Sequence, residues 1–99
     1  MKLNREQVLD ILAKNRDAIR ACGARRLGLF GSVARGEPDG DSDLDFVVEL
    51  SPKTFDAYMD VKFLLEDLFG RSVDLVLMGA IKPLLRERIL SEAIHVPGL

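Results

Sequence analysis

Five acidic side chains lie close together near the middle of the chain, with no basic residue among them: Glu37, Asp39, Asp41, Asp43 and Asp45. The segment 44–50 has the composition of a strand, and a strand places alternate side chains on the same face. Asp43 and Asp45 therefore share one face. A third acid, Asp74, interrupts the otherwise apolar segment 72–78, although aspartate is disfavoured in strands. These three carboxylates are the first candidates for chemistry.

Three carboxylates near one face of a sheet repel one another unless a cation lies among them. Oxygen ligands with no cysteine or histidine nearby favour Mg²⁺ or Mn²⁺ over zinc. Taken alone, Asp43 could equally be a turn residue in a polar loop. Asp45 and Asp74, taken alone, also fit strand residues that point to solvent. The three together predict a divalent metal site.

The dipeptide Gly31-Ser32 follows a predicted strand and precedes a short helical turn. Glycine lets a backbone approach a ligand closely, and the first amides of a helix can hold phosphate oxygens. The same dipeptide also fits an ordinary turn with a serine cap. Ten residues separate it from Asp43, so two antiparallel strands joined by this loop would bring it beside the carboxylates. Metal ions there could bridge the protein and a triphosphate.

The periodicity of apolar residues predicts alternating helices and strands. In order, these are a helix over 4–20, a strand over 25–30, a helical turn over 32–36, a strand over 44–50, a helix over 54–69, a strand over 72–78 and a helix from 83 to about 94. The order αβ(α)βαβα predicts an α/β (α+β) fold, in which helices pack on a small mixed sheet of three to four strands. The first two strands are joined by a loop too short for a parallel crossover and should be antiparallel, while the next pair could be parallel.

Length and composition exclude several classes of protein. The 99 residues, 1–99, are the size of one domain. Fourteen basic and sixteen acidic residues give a net charge of −2, which argues against direct binding of nucleic acid. No apolar segment is long enough for a membrane span, and no signal peptide is visible. The single cysteine, Cys22, fits a reducing compartment, so we expect a cytoplasmic protein.

The segment GSVARGEPDGDSDLDFVV, 31–48, resembles the GS-x10-DxD signature of the DNA polymerase β-type nucleotidyltransferases. More narrowly, it is similar to the minimal nucleotidyltransferases of bacteria and archaea, which also share a later VDLV strand and an ending like LLRERILSEAIHV. The resemblance is strong over residues 27–49, and the order of the predicted helices and strands is similar over about 4–95. It implies a polymerase β-like nucleotidyltransferase fold.

The resemblance also implies roles for individual residues. Asp43 and Asp45 would bind two Mg²⁺ ions, and Asp74 would help to bind the ion that activates the acceptor hydroxyl. Gly31 and Ser32 would hold the β- and γ-phosphates of a nucleoside triphosphate. The hydroxyl would attack the α-phosphate and pyrophosphate would leave, so that catalysis rests on positioning and charge neutralisation.

The similar minimal proteins usually pair with a small helical HEPN-class protein, a ribonuclease toxin that they neutralise as antitoxins. They do so by complex formation and by moving AMP from ATP to a tyrosine of the toxin. The resemblance therefore implies ATP as donor and a HEPN toxin as partner. Two alternatives remain open: a non-catalytic, nucleotide-binding antitoxin that neutralises its toxin by complex formation alone, and a small-molecule nucleotidyltransferase of the antibiotic-modifying type.

Arg35 lies three residues after Ser32 and could return to the phosphates from a helical turn. It could equally be a solvated side chain that pairs with Glu37 or Asp39. The sequence leaves both possibilities open.

Overall fold

The computed structural model describes residues 4–36 and 44–96. Its elements are α1 (Arg5–Lys14), α2 (Arg16–Ala21), β1 (Ala24–Phe30), α3 (Gly31–Ala34), β2 (Leu44–Leu50), α4 (Phe55–Phe69), β3 (Val73–Leu77), a 3-10 turn (Met78–Ala80), α5 (Pro83–Glu92) and β4 (Ile94–His95).

The four strands form one mixed sheet in the order β3-β2-β1-β4. The long strands β1 and β2 are antiparallel, and β2 and β3 are parallel. The predicted fold class is confirmed, as is the antiparallel direction of the first strand pair, and the second pair takes the parallel direction that the sequence allowed. The central strand β2 begins beside the acidic cluster, so it carries any site formed there.

The two faces of the sheet are covered by different helices. On one face, alternate β2 residues such as Leu44, Phe46 and Val48 are fully buried in one cluster with side chains of α1, α2 and α4. On the other face, Val47 packs with Met78 and with side chains of α5. Because side chains alternate along a strand, Asp45 shares the second face with Val47.

The predicted helix over 4–20 is wrong in one respect, because it is two helices. Asn15 lies between them with φ −110° and ψ 16°. Its side-chain amide donates to the Ile11 carbonyl at 2.8 Å, the local bond by which asparagine competes with helical backbone bonding. Asn4 caps α1 in a reciprocal pair of bonds with Gln7.

Helix α4 matches the predicted helix over 54–69 to within one residue and is capped at both ends. The Thr54 hydroxyl accepts from the Ala57 amide at 3.1 Å, the usual role of a threonine N-cap. Gly70 ends the helix in the left-handed region, with φ +64°, where glycine is tolerated best.

The last predicted helix is shorter than expected. It ends at Glu92, and Ile94–His95 form the short strand β4, which pairs with β1. Of the apolar residues on this helix, Leu84 is 95% exposed and Leu85 50%. The helix contacts the sheet through Ile89 and Leu90 instead. Across the described residues, none of the helices is long and apolar enough to cross a membrane.

Candidate functional site

Two of the three predicted carboxylates are neighbours in the sheet. Asp45 of β2 and Asp74 of β3 are register partners, so their backbones are about 4.8 Å apart. Asp45 is partly buried and Asp74 is exposed. Both lie near the start of their strands, on the sheet face that α5 covers further along. The pair therefore forms an open acidic edge that a ligand can reach.

Gly31 brings the end of β1 against the same carboxylate. Phe30, the last residue of β1, is the register partner of Asp45 on its other side. Gly31 follows with φ +79°, a conformation that costs other residues free energy. A Cβ at this position would overlap Asp45 Oδ2 and would lie 3.0 Å from Asp45 Cγ. Only glycine leaves room for the Asp45 side chain here.

We expect Gly31→Ala to destabilise the protein more than Gly70→Ala does. Both glycines have positive φ, and an alanine in that conformation lowers the free energy of unfolding by about 1–2 kcal/mol. No heavy atom lies within 4 Å of a Cβ at position 70, whereas at position 31 the Asp45 side chain must move, at about 1 kcal/mol more. Urea unfolding of both variants measures the difference. In an Asp45→Ala background, the difference in destabilisation between Gly31→Ala and Gly70→Ala should shrink, because part of the obstructing side chain is gone. Equal costs for the two glycine variants would contradict the close fit.

The short helix α3 is held in place from two sides. The Arg5 guanidinium of α1 donates to the Ala34 carbonyl at 3.2 Å, which satisfies a carbonyl at the end of α3. Arg35 Nη1 lies 3.6 Å from Glu92 Oε2 of α5. Both side chains of that pair are partly exposed, so it contributes little stability by itself. The bond from Arg5 therefore anchors the end of the helix that begins at Gly31.

Among the described residues, Arg35 forms an ion pair with Glu92, and the two roles left open for Arg35 stay predictions. The predicted alternatives Glu37 and Asp39 lie outside the described residues. Sequence reasoning missed both Glu92 and Arg5. Arg5 and Ala34 lie 29 positions apart in the sequence, and no local pattern indicates a contact over such a separation.

The remaining predicted site residues are only partly described. Asp43 lies outside the described residues, and of Ser32 the structure gives the backbone, in the first turn of α3. Within 4–36 and 44–96, no group of three or more His, Cys, Asp or Glu side chains could hold a metal. The described part of the acidic edge is the Asp45–Asp74 pair. Two adjacent carboxylates form an oxygen-only donor set, which fits Mg²⁺.

Cys22 is not part of this edge. Burial, and secondarily the charge of Asp60, raise the pKa of its thiol. The thiol therefore stays protonated at neutral pH, which makes it a poor nucleophile.

Several known proteins are similar to this chain. A family model described as a nucleotidyltransferase domain matches residues 6–96. A Methanocaldococcus jannaschii protein provisionally named protein adenylyltransferase MJ0435 is 36% identical over 93% of this chain and 92% of its own. The protein adenylyltransferase MntA of Thermococcus cleftensis is 32% identical over 95% of this chain and 97% of its own.

Solved structures show the same fold. A provisionally assigned minimal nucleotidyltransferase is 42% identical, with a TM-score of 0.72 over 87% of this chain and 93% of that one. A complex of an MNT antitoxin with a tri-AMPylated Shewanella oneidensis HEPN toxin matches with a TM-score of 0.63 at 17% identity, over 92% of this chain and 73% of that one. With the family model spanning nearly all of its length, the chain belongs to the nucleotidyltransferase domain family, whose enzymes act on nucleotide substrates.

Proposed function

We propose that this protein transfers AMP from ATP to a hydroxyl group of a partner protein, a tyrosine of a HEPN-class toxin, and thereby acts as an antitoxin. The observation that carries the proposal is the placement of Asp45 beside Asp74 on an open sheet edge, against the Gly31 turn. This is where a triphosphate and an acceptor hydroxyl could meet carboxylate-bound cations.

The proposed reaction is a nucleotidyl transfer. The acceptor oxygen forms a bond to the α-phosphorus of ATP, the bond from that phosphorus to the bridging oxygen breaks, and pyrophosphate leaves with the electron pair. Asp74 is exposed, so its carboxylate can reach the acceptor and take up the hydroxyl proton. Gly31, with Ser32, would hold the β- and γ-phosphates at the end of β1.

Asp43, Asp45 and Asp74 are the residues that would hold Mg²⁺, with two ions in the full site. When bound, such ions neutralise charge on the phosphates and lower the pKa of the acceptor hydroxyl. Asp45 is central to this set because it stands between the Gly31 turn and Asp74.

The choice of donor and acceptor is supported by the relatives' names. Two relatives that match nearly the whole chain are named protein adenylyltransferases. The Shewanella complex pairs an antitoxin of this fold with an AMPylated HEPN toxin. The sequence motif around Asp43 and Asp45 supports the same reaction by its resemblance to minimal nucleotidyltransferases.

The test is transfer of label from ATP to a HEPN-class toxin that forms a complex with this protein. With α-³²P-ATP and Mg²⁺, we expect label on the partner, and none when a chelator removes the metal. ATP labelled on the γ-phosphate is the matched control, since it should leave the partner unlabelled if AMP and not phosphate is transferred. Digestion of the labelled partner should place the AMP on tyrosine.

Two results would contradict the proposal. A stable complex with the partner that never acquires label would support an antitoxin that acts by binding alone. Label on the partner from γ-³²P-ATP would indicate phosphoryl transfer instead. In either case the Asp45–Asp74 edge would need another explanation.

A further inference from the structure

The strand that carries Asp74 lies at the edge of the described sheet. Edge strands expose backbone N–H and C=O groups on their outer side. The Leu44 amide donates to the Ser72 carbonyl at 3.3 Å. Because backbone groups alternate in direction along a strand, those of Ser72 and Asp74 face β2, and those of Val73 and Leu75 face outward.

Two side chains of α4 bind these outward groups on either side of Asp74. Glu66 Oε2 accepts from the Val73 amide at 3.2 Å. The Tyr58 hydroxyl donates to the Leu75 carbonyl at 2.7 Å. We call Tyr58 and Glu66 the α4 clamp. They lie eight residues, or about two turns, apart on one side of the helix, and they take the place of a further strand.

The Asp74 carboxylate has no such support of its own. In the part of the chain that the structure describes, no hydrogen bond or ion pair holds it, and the side chain is exposed. Its position beside Asp45 therefore depends on the backbone of β3.

From this we infer that Tyr58 and Glu66 are positioning residues for Asp74: the α4 clamp holds the backbone on both sides of it, so that its carboxylate stays level with that of Asp45. The inference rests on the proposed function, because the positioning role of the α4 clamp concerns the transfer of AMP. A looser edge strand would leave nucleotide binding at Gly31 unchanged and would slow the step in which the acceptor hydroxyl is activated.

The experiment compares variants that differ in one bond. Tyr58→Phe removes the hydroxyl and keeps the ring, and Glu66→Met removes the acceptor at similar size. Glu66→Gln is the conservative variant, since its amide oxygen can still accept from Val73. Thr54→Ala is the stability control, because it weakens the α4 cap without touching β3.

Two measurements are made on each variant. In the metal-free protein, we expect amide hydrogen exchange at Val73 and Asp74 to rise about ten-fold, relative to amides of β1, in Tyr58→Phe and Glu66→Met. In the transfer assay, kcat should fall about ten-fold, as for other outer partners of metal-binding groups, while the KM for ATP stays within about two-fold. Glu66→Gln and Thr54→Ala should retain the wild-type kcat.

The outcomes separate this inference from the proposed function. Absence of transfer by the wild-type protein would overturn both. With an active wild type, unchanged kcat in Tyr58→Phe and Glu66→Met would overturn the positioning role alone. An equal loss of kcat in Thr54→Ala would also overturn it, because general destabilisation would then explain the effect.

Discussion

Replacement of Asp45 by asparagine is expected to lower the rate of AMP transfer by about a hundred- to a thousand-fold, the usual loss when a group that stabilises transition-state charge is removed. Asparagine has nearly the same shape, so the fit against Gly31 is kept, but it lacks the negative charge that would hold a metal ion. The initial rate of labelling with α-³²P-ATP measures the effect.

Glu49→Gln is the matched control for this substitution. Glu49 lies four residues further along β2 and is exposed, so its change also removes one carboxylate from the same strand and face. Transfer by Glu49→Gln should equal that of the wild type. If both variants lost activity to the same degree, net charge and not the position of Asp45 would be the cause.

Replacement of Phe46 by alanine should have the largest effect on stability. Phe46 is fully buried, and its ring stacks on that of Phe69 with centroids 5.9 Å apart. Removing such a ring costs about 3–5 kcal/mol, a large fraction of the 5–15 kcal/mol typical of a whole domain. The free energy of unfolding in urea at 25 °C measures the loss.

Phe55→Ala is its control, since Phe55 is 75% exposed. Its free energy of unfolding should stay within about 0.5 kcal/mol of the wild type. A loss below about 1.5 kcal/mol for Phe46→Ala would mean that the core closes around the gap.

Local patterns in the sequence predicted those parts of the fold that local chemistry determines. Thr54 and Gly70 mark the ends of α4, and the alternation over 44–50 gives β2 without error. The break at Asn15 was missed because helical periodicity continues through it, while a single side-chain bond interrupts the helix. The strand β4 was missed because two residues carry no periodicity, and its pairing with β1 is a long-range contact.

The sequence also predicted part of the candidate site, namely its carboxylates, but not the contacts that support them. The occurrence of Asp45 and Asp74 in otherwise apolar strands predicted carboxylates near one face of the sheet, and the structure makes these two residues register partners. The roles of Asp43, Ser32 and the metal ions remain predictions. The support around the pair was beyond the sequence, because Tyr58 and Glu66 reach β3 from a helix, and nothing in the chain near either residue indicates it.

The alternation along β2 ties the alignment of the site to the hydrophobic core. Asp45 and Phe46 are one peptide bond apart and face opposite sides of the sheet. A slip of one residue would bury the Asp45 carboxylate in the core and expose the Phe46 ring, and an unpaired buried charge is very costly. A misregistered site is therefore also a misfolded protein. Burial of Phe46 therefore selects the register of β2, and in a molecule that reaches the native state Asp45 lies on the sheet face opposite the Phe46 side chain.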